Sequence, residues 1–349
     1  MGVTPAQLRA YSAVVRLGSV KDAAAELGVT EAAVSMHVGQ LRKQLEDQLF
    51  VRTPSGLSFT PGGLRLARRA VELLGLQDRT IREVSQASHG RRMLRVAASG
   101  LFAEYAAPGL IDMFTGRSRN LDVELSVCRP RDFAGLLASR AADVAIGPCP
   151  ETVPDAVQHT PFLNYTVVLV TAPDHPLARF AHAAAPGAAP APALAGAMSR
   201  GAATAAPPSP VPAALLRDQT WLMGPAAVDP DGVQAGLLRR FAVPEPHQRI
   251  FQNNAAAVEE AKRGGGVAFA VSFAVQADLA SGRLVRLPLP PGAADGAWST
   301  LTLAASSLPP AAAEFTRFVG TPRAIQAMLR GAGVGAGHFR RAVHVTLWS

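Results

Sequence analysis

The sequence predicts a multidomain α+β protein in three parts: an N-terminal winged helix-turn-helix, one long helix, and a two-lobed α/β C-terminal region. Three observations predict it. Two short helical patterns meet at Gly28, and a pair of short strand patterns follows them. A helical pattern of roughly 28 residues comes next, long for a globular helix. Beyond Arg91-Arg92, strand and helical patterns alternate, twice in the order strand, helix, strand, helix, strand, which demands parallel sheets. With 349 residues, 48% of them hydrophobic, the chain can fill more than one core.

Thr4 and Pro5 open a first helix that puts Leu8, Tyr11, Val14, Val15 and Leu17 at helical spacing. Ser19 caps a short second helix carrying Ala23, Ala24 and Leu27, and Gly28 ends it in a left-handed turn. Thr30 caps the third, which sets Val34, Val38, Leu41 and Leu45 toward a core and leaves Ser35, His37, Arg42 and Lys43 on other faces. Leu49 to Arg52 and Leu57 to Thr60 are strand-like around Thr53-Pro54-Ser55-Gly56, which has the residues of a hairpin turn. Thr60 then caps the long helix, with Pro61 at its first position, and the helix runs to about His89. Its apolar positions 66, 70, 73, 77, 81 and 84, interrupted by Gln77, suit pairing with a second copy, and burial on its own chain is the alternative.

In the C-terminal region Leu94–Ala98, Leu121–Val127 and Asp143–Gly147 read as strands, separated by helices from Leu101 to Thr115 and from Phe133 to Ala141. The apolar strand Thr166–Thr171 carries the chain into a second lobe. From about Ala178 to Pro212 the sequence is mostly Ala, Pro and Gly and reads as an insertion without fixed structure. Strands Thr220–Gly224, Arg249–Phe251 and Val267–Val271 then alternate with helices Asp231–Phe241 and Ala255–Arg263, the latter capped by Asn254. Leu284–Leu287 and Thr300–Ala304 are further strands, and a last helix spans Pro310 to about Arg330. These readings place the parts at 1–60, 61–90 and 91–330, with lobe 1 about 91–168 and 290–330, lobe 2 about 169–289, and a basic, solvated tail at 331–349.

A formal charge of +8, carried almost entirely by arginine, favours a polyanionic partner, although Arg- and Ala-rich codon usage accounts for part of it. Cys128 and Cys149 are the only cysteines, and no Cys/His spacing suits a metal, so no disulfide framework, metal or cofactor is expected. Neither a signal peptide nor a membrane-length apolar run is present, which points to the cytoplasm. No nucleophile elbow, Gly-rich phosphate loop after a strand, or His/Asp/Glu cluster suggests an enzyme.

The second helix of a helix-turn-helix enters the DNA major groove by its N-terminal residues, so Thr30, Glu31, Ala33, Ser35, Met36 and His37 become candidate readers. Arg42, Lys43 and Arg52 are candidate phosphate contacts, joined by the cap residues Ser19 and Thr60 at helix starts. In parallel sheets ligands bind beyond the carboxyl ends of the strands. That rule selects Ser99, Gly100, Cys128, Arg129, Gly147 and Pro148 in the first lobe, and Gly224 and Pro225 in the second. Phe102 is a further candidate wall, and Arg129 suits an anionic small molecule.

The set Gly18-Ser19, Ala23-Ala24, Leu27, Ala33-Val34-Ser35, Leu41, Leu49-Phe50, Arg52, Leu57 and Thr60-Pro61-Gly62-Gly63 resembles the LysR-type transcriptional regulators. Glu260 to Phe269, with Phe315-Thr-Arg-Phe318, agrees in layout. The resemblance implies a winged DNA-binding domain, a dimerising linker helix, and a periplasmic-binding-protein-like domain for a small-molecule effector, with Ser99 holding an effector carboxylate. It also implies a tetramer of two dimers acting at promoter DNA, which brings in RNA polymerase as a candidate partner. Glu31-Ala32 departs from the family's usual Gln-Pro or Gln-Ser, so base preference does not carry over. Leu45-Glu46 replaces its Leu-Gly, which alters the turn into the wing. A thiol-based redox regulator of the same fold and a solute-binding protein without DNA remain as alternatives.

Overall fold

A computed structural model describes residues 2–53, 56–87, 92–117, 120–181, 210–229, 232–290, 294–304, 308–330 and 343–347. The N-terminal head is three helices and a hairpin: α1 (Pro5–Leu17), α2 (Val20–Leu27), α3 (Glu31–Leu45), β1 (Phe50–Thr53) and β2 (Gly56–Phe59). Thr4 and Gln7 form a reciprocal capping box on α1, and Gly18 and Gly28 close α1 and α2 in the left-handed region, where a Cβ would be strained. Tyr11, Val14, Ala23, Val34, Val38, Leu41 and Phe50 make the core of the head. Leu45 is exposed instead of facing that core, because α3 ends there and Glu46 turns away at φ 53°. The turn into the wing is thus built without glycine, on left-handed Glu46 and Leu49, the latter at φ 60°.

The long helix α4 (Pro61–Ala87) follows, and the expected residues 88–89 lie outside the described set. Its apolar stripe divides. Ala70 is buried and Leu66 packs on the core of the head, whereas Leu73, Leu76, Ile81 and Val84 are each at least 48% exposed. Arg9 of α1 pairs with Asp78 at 3.1 Å, so α4 lies along the head.

The first lobe holds β3 (Arg92–Ala98), α5 (Gly100–Tyr105), α6 (Ala107–Thr115), β4 (Leu121–Val127), α7 (Phe133–Ala138) and β5 (Val144–Gly147). The expected single helix over 101–115 breaks at Ala106, since Pro108 lacks an N–H and its ring collides with the carbonyl four residues back. Strand β6 (Val157–Thr171) is much longer than the Thr166–Thr171 stretch legible in the sequence. Its first half pairs with β11 (Asp295–Leu303) and its second half with β9 (Val267–Val271), so it crosses from one lobe into the other.

The second lobe adds α8 (Ala213–Arg217), β7 (Trp221–Met223), α9 (Val233–Arg240), β8 (Gln248–Ile250), α10 (Asn254–Lys262), α11 (Gln276–Ala280) and β10 (Val285–Leu287). Strands β9, β7 and β8 are mutually parallel, as are β4, β3 and β5. Both ends of the Ala/Pro-rich insertion are ordered into the lobe: Ala178 and Val211 are buried, and only 182–209 lies outside the described residues. The last helix is two, α12 (Pro310–Val319) and α13 (Pro322–Arg330), parted at Gly320 by the following proline. The expected solvated tail is corrected as well: β12 (Val343–Leu347) pairs in parallel with β4. Residues 331–342 lie outside the described set.

Candidate DNA interface and inter-lobe face

Thr30 caps α3, its hydroxyl accepting from the N–H of Ala33 at 3.2 Å, while Val34, Val38 and Leu41 anchor the opposite face in the core. That anchoring turns Glu31, Ser35, Met36, Gly39 and Lys43 outward as one continuous exposed stripe. Met36 is 52% exposed and is available for contact. Ala33 is half-buried beside the stripe. His37 is also half-buried, with Nδ1 shut away from water and unpartnered among the described residues, so it is not the freely exposed group the periodicity suggested.

Two expected phosphate contacts are committed inside the head. Arg42 donates from Nη2 to the carbonyl of Phe50 at 2.7 Å, and its guanidinium lies 4.4 Å above the Phe50 ring. It therefore ties the reading helix to the wing. Thr60 accepts from the N–H of Gly63 at 2.9 Å and donates to Asp47 Oδ1 at 2.8 Å. Asp47 also accepts from the N–H of Leu49 at 2.6 Å, and a Cβ on Gly62 would collide with its carboxylate. An anion, the Asp47 carboxylate, already sits at the start of α4 and takes the Thr60 hydroxyl. The Leu49 N–H first, and then the Thr60 hydroxyl, hold the Asp47 carboxyl below the usual range. Ser19 caps α2 through the N–H of Asp22 at 3.2 Å. Arg52 lies in β1, its side chain outside the described set, as are Pro54 and Ser55 of the hairpin turn.

The carboxyl ends of β3, β4 and β5 are in register, Ala98 opposite both Val127 and Ile146, which brings Ser99, Cys128 and Gly147 together. Gly147 is glycine because a Cβ would stand 2.9 Å from both Ser99 Cβ and the Phe133 ring. Ser99 is 6% exposed, and its Oγ has no hydrogen-bond partner among the described residues. A buried hydroxyl left so is costly unless something else completes it. Gly100 opens α5 at half burial. Phe102 is packing instead of wall, 1% exposed and edge-on to Trp298 at 5.1 Å and Phe162 at 6.2 Å. Arg129 is exposed and pairs with Asp132 at 3.7 Å.

Across from these, Gly224 is buried and its N–H donates to Asn254 Oδ1 at 3.2 Å, while Pro225 is exposed. The Gly224 N–H is therefore already satisfied. The cap of α10 is Asn253, which accepts from the N–H of Ala256 at 2.8 Å. Asn254, expected as that cap, is turned inward and 1% exposed. Its backbone and side chain both donate to Glu104 of the first lobe. Neither Glu104 nor the inward role of Asn254 was legible; the Asn253-Asn254 doublet was the one available signal, since only one of two adjacent asparagines can be the cap.

Neither thiol is favoured as a thiolate. A reactive cysteine needs accessible thiolate, whereas burial, with Asp132 beside it, pushes the half-buried Cys128 up to about 12. Burial raises the exposed Cys149 as well. Among the described residues no helix is long and apolar enough to cross a membrane.

Comparison with known proteins follows the same division. Residues 5–64 match the family described as bacterial regulatory helix-turn-helix protein, lysR family. Residues 87–188 and 194–321 match the LysR substrate binding domain. An uncharacterized HTH-type transcriptional regulator of Mycobacterium tuberculosis is 52% identical over 350 residues, covering 99% of this chain and 100% of its own. The RuBisCO operon transcriptional regulator of Allochromatium vinosum is 32% identical over 181 residues, 51% of this chain and 59% of that one. The crystal structure of ArgP from Mycobacterium tuberculosis shares the fold, with a TM-score of 0.51 at 20% identity over 97% of this chain and 99% of that one.

Proposed function

The chain belongs to the lysR family of bacterial regulatory helix-turn-helix proteins, a DNA-binding transcriptional regulator with an effector-binding domain, and from that premise we propose how its parts divide the work. The exposed stripe of α3 enters the major groove, with Thr30, Glu31, Ala33, Ser35 and Met36 toward base edges and His37 at its margin. Lys43 and Arg52 contact phosphates, giving affinity without sequence reading. The exposed half of the α4 stripe pairs with α4 of a second copy, and two such dimers form a tetramer that meets RNA polymerase at a promoter in the cytoplasm. A small-molecule effector binds between the lobes, at Ser99, Gly100, Cys128, Arg129 and Gly147 on one side and Gly224 and Pro225 on the other. It acts by shifting the lobes, as a regulator and not as a substrate.

One observation carries this reading: α3 is buried on one face and presents an exposed stripe, Glu31, Ser35, Met36, Gly39 and Lys43, on the other, in a head that also carries a hairpin wing. The test is a gel shift of the full-length protein on DNA upstream of its own gene. Binding should weaken steeply with salt, and Lys43→Ala should weaken it evenly across sequences and reduce the salt slope by about 1. Absence of binding to any upstream fragment at low salt overturns the reading.

A further inference from the structure

Glu104 lies at the end of α5 in the first lobe, yet every hydrogen bond described for its carboxylate goes to the second. Oε2 accepts from the backbone N–H of Asn254 at 3.2 Å and from its Nδ2 at 2.7 Å, and Oε1 accepts from the N–H of Ala255 at 2.8 Å. These are the first two N–H groups of α10, and the third is held by Asn253. The N-terminus of a helix leaves such donors without intrahelical partners and carries about half a positive charge. Here the chain's own side chains have taken them. Asn254 extends the junction inward, its Oδ1 accepting from the N–H of Gly224 at 3.2 Å and from Gln234 Nε2 at 3.3 Å. Arg129, the cation expected on the first-lobe side, is matched by Asp132. The α10 N-terminus and Arg129 are thus each paired within the chain.

We propose that Glu104 is the specificity-determining residue of this face: it latches the two lobes together and fills the anion position of the second, so that the site takes an uncharged or cationic effector. A carboxylate ligand at α10 would have to displace Glu104 and then lie beside its charge, a like-charge pair at a half-buried position. A ligand bearing a hydroxyl or amino donor meets no such penalty. An ionised carboxylate offers about four acceptor positions, of which three are used, so Glu104 can still accept a donor from the ligand. The unpartnered Oγ of Ser99, five residues earlier and bounding the same helix, offers the second polar contact.

This inference rests on the inter-lobe face being the effector site, and it is tested without DNA or effector, so that its failure is separable from failure of the gel shift. Hydrogen exchange is followed at the Asn254 and Ala255 amides in full-length protein, wild type, Glu104→Ala and Glu104→Gln. Loss of two charge-assisted hydrogen bonds should speed exchange in Glu104→Ala by about tenfold or more. Acetate should restore protection in that variant, where chloride at equal ionic strength does not, and should leave wild type unchanged. Glu104→Gln, which keeps the shape and one acceptor, should exchange at an intermediate rate and, with its position filled, ignore acetate. Unchanged exchange in both variants overturns the latch. Failure of acetate to rescue Glu104→Ala, or slowing of the wild-type amides by acetate, succinate or benzoate, overturns the exclusion of anions.

Discussion

At the scale of single residues, the head is governed by where its few carboxylates are placed. Asp47 joins the end of α3 to the start of α4 through Leu49 and Thr60. Its folded-state pKa is depressed, so the stability it contributes is present above the unfolded value of about 3.9 and is lost as pH falls through the lower folded value. Acid unfolding of Asp47→Asn should therefore show a shallower loss in that window than wild type, followed by circular dichroism; identical acid limbs would refute the linkage. Thr60→Ala removes the cap and the partner of Asp47 together, and should cost about 1 kcal/mol in urea unfolding. Glu31 is an exposed carboxylate at the first position of the reading helix. A carboxylate accepts from a cytosine amino group, whereas an amide can pair with adenine in two places. Glu31→Gln should move base preference in an operator library from C toward A at one position, and an unchanged preference would remove Glu31 from the reading set.

At the scale of elements, most boundaries were legible because local chemistry sets them. Thr4-Pro5, Ser19, Gly28, Thr30 and Thr60-Pro61 each mark a helix end that the structure places within a residue. The breaks at Ala106 and Gly320 were missed, although Pro108 and Pro322 were in plain view, because apolar periodicity continues across both and hides a change of axis. The α4 stripe shows what periodicity cannot separate: a single face packs on the head at Leu66, is buried at Ala70, and is left open at Leu73, Ile81 and Val84. Side-chain spacing gives the face and not its occupant. If a second copy covers the open part, each buried Leu or Ile contributes roughly 1.5–3 kcal/mol. Leu73→Asp with Ile81→Asp should then raise the dimer dissociation constant by about 100-fold or more while leaving helix content unchanged. Sedimentation equilibrium reads this directly, and an unaltered constant would assign dimerisation to another surface.

At the scale of the molecule, the two lobes were readable as repeated alternations, but their connection was not. Strand β6 begins nine residues before its apolar run, in Val157–Tyr165, where polar residues alternate poorly and only pairing with β11 makes a strand. Glu104 and Asn254 are 150 positions apart, a distance over which local pattern carries no information. The same holds for β12, whose five residues become a strand only by lying against β4. That pairing covers what would otherwise be the outer edge of the first-lobe sheet, a row of unpaired backbone groups open to another chain. Ending the chain after Arg330 should uncover it. The expected result is a loss on the order of 1–3 kcal/mol in stability, from the ladder bonds given up. It should be accompanied by concentration-dependent association beyond the wild-type assembly in sedimentation velocity. Lysine placed at Val123 and Leu125 would disrupt the buried core and confuse the result, since both are fully buried. The informative control is instead a chain that keeps residues 331–349 but carries Val345→Pro, where the missing N–H and fixed backbone oppose pairing with β4. If the proline variant associates as the truncated chain does, the edge is the cause; if both keep the wild-type distribution and melting point, β12 contributes nothing to the lobe it lies on.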